Sequence, residues 1–389
     1  MANTFLIPKL TVYGENSLKM SMEELKTFGK KSMIVTDEAM INLGYIKKLT
    51  GELDQIGISY CVYSDINTEP NHFMIDNGKE LFKNEKCDFL VALGGGSPID
   101  AMKAIAAVYA NGGSVTEYLG KQLDKDLPPM CAIPTTAGTG SEATKFSIIT
   151  NIETNVKMLL SNPKLMVDLA VLEADFTLSS PPAVTAATGV DALTHALEAY
   201  TSIKANIMSD TFAVSALRKI YANLHEIFVN GGNMNARREM QLGAYEAGIS
   251  FSNSSVTIIH GMSRPIGALF HVPHGMSNAM LLKTCLDYFK TGVTDRLCEL
   301  AKAIGVYKAE MNEEQGAQAF VAATNELLKS LKIKTPMDYG IKKDEFFKYI
   351  PKMSEDAMAS GSPSNTRKTP TKEILAELYS KFWNDCEKG

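Results

Sequence analysis

Through the first 180 residues short apolar runs alternate with amphipathic stretches, and beyond them the apolar positions keep a helical period to the end of the chain. The runs SMIVTD (32–37), SYCVYSD (59–65), FLVALGGG (89–96), MCAIPTT (130–136) and AVLEAD (170–175) are rich in β-branched and aliphatic residues. Helix-length segments such as SPIDAMKAIAAVYANG separate them. That alternation predicts βαβ units and a mostly parallel sheet, which binds ligands at the carboxyl ends of its strands. At SSPPAVTAATGVDALTHALEAY the paired serines and prolines give a helix-start signal, and the texture changes there. The expected architecture is an α/β domain over 1–180 and an all-α domain over 181–389, with no repeat of fixed period and no low-complexity segment.

Composition narrows the partners. The 389 residues are 45% hydrophobic and 21% charged, enough for a sizeable core in two domains. A net charge of −5, with no useful Lys/Arg run, excludes nucleic acid as a partner, because phosphate binding needs a basic face. No apolar run approaches the roughly 20 residues that span a bilayer, so no membrane partner is expected. The six cysteines lack CxxC spacing and MANTFLIPKL lacks the regions of a signal peptide, which leads to the expectation of a reducing, cytoplasmic location.

Two loops in the first domain have the composition of a nucleotide site. In FLVALGGGSPIDAMKAIA a strand meets a glycine turn and then a helix. Gly94, Gly95 and Gly96 let backbone approach a ligand closely, Ser97 is the expected N-cap, and Pro98 suits the first helical position. Amides and the helix dipole there favour a pyrophosphate, although tight-turn geometry alone also explains the glycines. The second loop, CAIPTTAGTGSEAT, follows another strand and adds the hydroxyls of Thr135, Thr136, Thr139 and Ser141. Asp37, ending the first run, is placed either to accept from a ribose diol, which would favour NAD over NADP, or to cap the next helix.

The second domain carries metal-ligand chemistry. Of only six histidines, three join an aspartate in two short stretches: Asp191 and His195 in GVDALTHALEAY, His260 and His274 in IIHGMSRPIGALFHVPHG. Asp-x-x-x-His on a helix sets both side chains on one face, a turn apart. With His260 closing one helix and His274 opening the next, a helix hairpin brings the second pair to the same point. Three imidazoles and a carboxylate suit Fe(II) or Zn(II) and suit Mg or Ca poorly. Taken singly, each histidine also fits a hydrogen-bonded core position.

The chain has no GxGxxG, and its acidic residue precedes the glycine turn. The combination of GGGSPID, PTTAGTGSEAT, GVDALTHALEAY and HGMSRPIG…HVPHG, spread over nearly the whole chain, instead closely resembles the iron-containing alcohol dehydrogenases. The resemblance implies a dehydroquinate synthase-like fold: an α/β N-terminal dinucleotide-binding domain, an all-α C-terminal domain and an active site in the cleft between them. It further implies Asp191, His195, His260 and His274 as metal ligands, with Fe(II) favoured and Zn(II) the alternative. Asp37, Gly95, Gly96, Ser97, Thr135, Thr136, Thr139, Thr144 and Lys157 fall where the family contacts NAD(H). A small aldehyde or alcohol substrate and a homodimer or higher homo-oligomer are expected with it.

One position departs from the family. Many relatives have a histidine four residues after the third ligand, where this chain has Arg264. A guanidinium is a permanent cation with a planar fork suited to carboxylate, sulfonate or phosphate. Against a substrate contact stand an ion pair with a nearby acid, and a helix end before Pro265 that would turn Arg264 away. His271, just before the last ligand, is expected to line the site and to assist proton transfer; His72 and His225 carry no motif. The expected reaction is hydride exchange between nicotinamide and a carbonyl carbon polarised by the metal, on a short aldehyde such as anionic sulfoacetaldehyde. A neutral alcohol or diol dehydrogenase is the alternative. A dehydroquinate synthase-like lyase is disfavoured because no basic cluster flanks Asp191 or His260, and an inactive subunit because every ligand position is filled.

Overall fold

The computed structural model describes residues 4–154 and 156–388. The chain divides into two compact units, Met1–Ser180 and Pro181–Gly389.

The first unit is built on a sheet of six strands: β1 (Leu10–Tyr13), β2 (Lys31–Val35), β3 (Ser59–Tyr63), β4 (Phe89–Gly94), β5 (Met130–Pro134) and β8 (Leu169–Leu172). All pairings are parallel, in the order β1-β8-β5-β4-β2-β3. Helices α1 (Ser17–Phe28), α2 (Glu38–Asn42), α3 (Tyr45–Gln55), α4 (His72–Asn84) and α5 (Gly96–Asn111) make the connections. Because β4 and β5 are covered on both faces, every residue in them is buried and their sequences read as unbroken apolar runs. On one face Leu18, Met22 and Leu25 of α1 and Leu49 and Leu53 of α3 pack with Ile34, Val91, Ile133 and Val171 of the strands. The five expected strands form but stop short, each run's last residues turning into the loop that follows. The antiparallel hairpin β6 (Phe146–Asn151) and β7 (Val156–Ser161), and the short β1, carry no strong alternation and were not expected.

From β2 the chain turns to β3 on one side and then returns to β4 on the other. The carboxyl ends of β2 and β4 are therefore the topological switch point, the place where open parallel sheets bind nucleotides.

The second unit consists of α6 (Pro182–Thr201), α7 (Ile207–Val229), α8 (Met234–Asn253), α9 (Ile258–Phe270), α10 (His274–Phe289), α11 (Thr294–Ala303), α12 (Glu313–Ser330), α13 (Lys343–Ala359) and α14 (Lys372–Lys388). Helix α6 is buried on all sides from Thr185 to Thr201, save Thr188, and so has no solvent-facing side over that stretch. Two expectations about α9 need correction. His260 opens this helix and does not close one, and Pro265 lies inside it without ending it. Its ring removes only one amide donor, and the helix continues five residues to Phe270. Among the described residues no helix is long and apolar enough to cross a membrane.

Candidate metal centre and nucleotide loops

Asp191 and His195 lie one turn apart on α6, His260 in the first turn of α9, and His274 at the first residue of α10. One ligand atom from each lies within 4.8 Å of all the others. The Nε2 atoms of His260, His274 and His195 stand 3.6, 3.8 and 4.0 Å from Asp191 Oδ1. Donors each about 2.0–2.2 Å from one ion sit some 3–4 Å apart, so the spacing fits a metal. Close packing of backbone sets this distance: a Cβ on Gly275 would come within 2.6 Å of the Ala187 carbonyl oxygen, so only glycine lets the start of α10 lie against α6. Asp191, His195 and His260 are almost fully buried, whereas the His274 side chain is one-third exposed at 33%. The cluster thus reaches solvent on the His274 side.

The electrostatics of this arrangement call for a cation. Burial alone would raise the Asp191 carboxyl, but His195, His274 and His260 outweigh it and hold the group well below the carboxylate range. The Asn278 amide, one turn after His274, donates to Asp191 Oδ1 at 2.7 Å and lies 3.1 and 3.3 Å from the Nε2 atoms of His260 and His274. Its two hydrogens are one fewer than the three acceptor atoms it approaches.

Glu198 is the residue that the sequence reading missed. It lies on the face of α6 that carries Asp191 and His195, wholly buried, and its Oε2 stands 2.5 Å from His260 Nδ1. Its Oε1 accepts from the Thr257 hydroxyl and the Ile259 amide, each at 2.6 Å. Burial opposes this charge, yet His260 and those donors keep the carboxyl below its ordinary value. With Nδ1–H held by Glu198, the lone pair on His260 Nε2 faces the other ligands, the carboxylate–histidine arrangement of metal sites. The spacing was legible: Asp191, His195 and Glu198 follow at i, i+4 and i+7.

Arg264 stands one turn after His260 on the same helix. Half-buried, it donates from Nη1 to the Ser362 hydroxyl at 3.1 Å. Among the described residues no carboxylate forms an ion pair with it; desolvation lowers its pKa, with Glu198 opposing only through space. No signal in the sequence links Ser362 to it. His271 ends α9 in the left-handed region at φ 55°, is exposed, and is not among the clustered ligands.

In the first unit the loops at the switch point lie side by side. Thr36 Oγ1 donates to Leu93 O at 2.8 Å and Thr135 N to Gly94 O at 3.0 Å, linking the ends of β2, β4 and β5. A Cβ on Gly96 would meet Thr139 Cγ2 at 3.0 Å, so the glycine turn and the threonine loop touch. Helix α5 begins at Gly96 with Gly95 as its N-cap, two residues earlier than expected, which leaves Ser97 inside the first turn. Asp37 does cap α2, accepting from Met40 N at 3.0 Å through Oδ1. Thr144 is buried, and Lys157 pairs with Glu69 at 2.7 Å. Lys103, wholly buried, donates to the carbonyls of Ser141, Thr144 and Phe146 at 2.6, 2.6 and 3.0 Å and reaches the Thr144 hydroxyl at 3.2 Å. This internal ammonium, lowered by burial to about 8, gathers the end of the threonine loop.

Comparison with known proteins now decides the family. The model for iron-containing alcohol dehydrogenase matches residues 8–174, and that for the C-terminal part of the same family matches residues 185–383. The chain belongs to the iron-containing alcohol dehydrogenases. A 1,3-propanediol dehydrogenase of Klebsiella pneumoniae is 33% identical over 384 residues, covering 97% of this chain and 98% of the relative. The solved structure of a 1,3-propanediol oxidoreductase matches with TM-score 0.94 at 30% identity, over 98% of this chain and 100% of that one. A sulfoacetaldehyde reductase from Bifidobacterium kashiwanohense, solved with NAD+, matches with TM-score 0.88 at 25% identity, over 98% and 99%. As a member of this family, whose chemistry uses NAD(H) and iron, the protein is an oxidoreductase of alcohols and aldehydes.

Replacing Glu198 with Gln removes the charge behind His260 while preserving shape. Metal affinity, measured by competition with a chelator, is expected to fall about 10- to 100-fold. Unchanged affinity would show that Glu198 serves only packing.

Proposed function

We propose that this enzyme reduces a short aldehyde bearing a carboxylate or sulfonate, using NADH, and oxidises the matching hydroxy acid in reverse. The observation that carries this reading is Arg264, a half-buried guanidinium one turn from a clustered histidine and held by a hydroxyl alone among the described residues. A partly desolvated cation without a counter-charge is poised to pair with an anion, and an anionic substrate group supplies one. That a solved relative is a sulfoacetaldehyde reductase agrees with this chemistry.

Asp191, His195, His260 and His274 would hold the metal, and family membership favours iron over zinc. When bound, the metal polarises the substrate carbonyl as a Lewis acid, and NAD(H) carries the hydride. Glu198 keeps His260 in the tautomer that presents Nε2, and the one-third exposed edge at His274 gives substrate its approach. Arg264 fixes the far, anionic end of the substrate, which orients the reacting carbon and lowers the entropy cost of the encounter. Among the nucleotide contacts, Gly95, Gly96, Ser97, Thr135, Thr136 and Thr139 are assigned to the pyrophosphate and nicotinamide half, by their place at the switch point. Asp37 uses Oδ1 to cap α2 and keeps a second oxygen for the adenosine ribose. Thr144 and Lys157 are engaged within the protein and receive a supporting role in this scheme.

Two outcomes are expected. In Arg264→Gln, kcat/KM for sulfoacetaldehyde and succinic semialdehyde should fall by the equivalent of about 2–5 kcal/mol while propanal and lactaldehyde change little; an equal fall for all four would make Arg264 a scaffold residue, and a wild type indifferent to charge would support a neutral alcohol dehydrogenase. In Asp37→Gly, the preference for NADH over NADPH should narrow by roughly tenfold or more, each tenfold being about 1.4 kcal/mol. A wild type that used both cofactors equally would contradict the role given to Asp37.

A further inference from the structure

The thiols of Cys61 and Cys87 face one another with their sulfur atoms 3.5 Å apart, although the residues are 26 positions apart in sequence. Cys61 lies on β3, the edge strand of the sheet, and Cys87 just before β4; β2 runs between those strands. Cys61 is in register with Met33 of β2, while Asp88, next to Cys87, donates its amide to the Lys31 carbonyl at 2.8 Å. The two cysteines are thereby fixed to the same stretch of β2 from either side. Cys61 is partly exposed and Cys87 is 7% exposed, so a small reagent meets Cys61 first.

We propose that Cys61 and Cys87 form a redox modification site, a thiol pair that small disulfides oxidise to an intramolecular disulfide. The hydrogen bond from Cys87 holds the Cys61 thiol below its ordinary value against the opposing effects of burial and of the Glu85 carboxylate, which the Lys31 ammonium, paired with Glu85 at 2.6 Å, offsets in part. Cys87 shifts upward, through that same hydrogen bond and through burial. Cys61, the sulfur open to solvent, is the attacking one and the buried Cys87 the resolving one. The Cys61 thiolate displaces one half of a small disulfide such as oxidised glutathione, which leaves as a thiolate, and a mixed disulfide forms. Cys87 gives up its proton and attacks the Cys61 sulfur; the Cys61–Cys87 bond forms and the second small thiolate departs. The two protein thiols are oxidised, one small disulfide is reduced to two thiols, and the two protons pass to the departing thiolates. The new bond closes the β3–α4–β4 crossover and pins the edge strand to the sheet interior.

The test is peptide mapping of the full-length protein after treatment with oxidised glutathione and blocking of free thiols. The peptides carrying Cys61 and Cys87 are expected as one cross-linked species, released by dithiothreitol, and the melting temperature of the oxidised protein should rise by roughly 5 °C. In Cys87→Ser, Cys61 should instead accumulate as a stable glutathione adduct. A wild type in which Cys61 keeps its glutathione, or in which both thiols are alkylated as fully as before treatment, would overturn the proposal; this wild-type measurement stands even if the variant does not fold.

Discussion

A buried carboxylate and three imidazole nitrogens that point at one another are the constraint on which the second unit depends. Only the His274 edge meets solvent, and one asparagine amide is shared among Asp191, His260 and His274. Such a cluster is stable only with positive charge at its centre, whether protons on the histidines or a metal ion. The fully buried α6, the glycine that brings α10 against it, and Glu198 behind His260 all serve to keep those lone pairs converged. Removing any one of these supports would leave the ligands present but misdirected.

The same helix that opens with His260 carries Arg264 one turn later, so a single rigid element sets the distance between a clustered imidazole and a half-buried cation. Pro265 leaves this relation intact because the helix runs through it. Charge is distributed in a consistent way: Glu198 is held by His260, the Thr257 hydroxyl and the Ile259 amide, while Arg264 keeps a hydroxyl partner and no ion pair among the described residues. In the first unit a comparable economy appears at Lys103, whose ammonium replaces what would otherwise be several unsatisfied carbonyls beneath the threonine loop.

Most of this was legible in the sequence where local rules dominate. The five strands that arise from apolar runs, the helical second half and the change of texture at Ser180 follow from periodicity and from prolines near a helix start. The four clustered side chains were visible from their rarity and spacing. Glu198 was visible too, by its i+7 spacing from Asp191, but an acid in a helix reads first as a surface residue. Ser362 and Lys103 had no such signal, because their partners are far away in the chain and only tertiary packing brings them together. The hairpin β6–β7 lacked a clear alternation, and the direction of α9 at His260 turned on one irregular loop, Ser254–Thr257, that propensity does not describe.

The central claim is that the converged ligands hold one catalytic ion, and the most direct measurement is metal content set beside NADH-linked turnover. Wild-type protein stripped by a chelator should lose activity, regain it as Fe(II) or Zn(II) is added back, and saturate at a single ion per chain. His195→Ala should retain little metal and little activity while still binding NADH. Turnover at the full rate by metal-free wild-type protein, or by metal-free His195→Ala, would contradict the account.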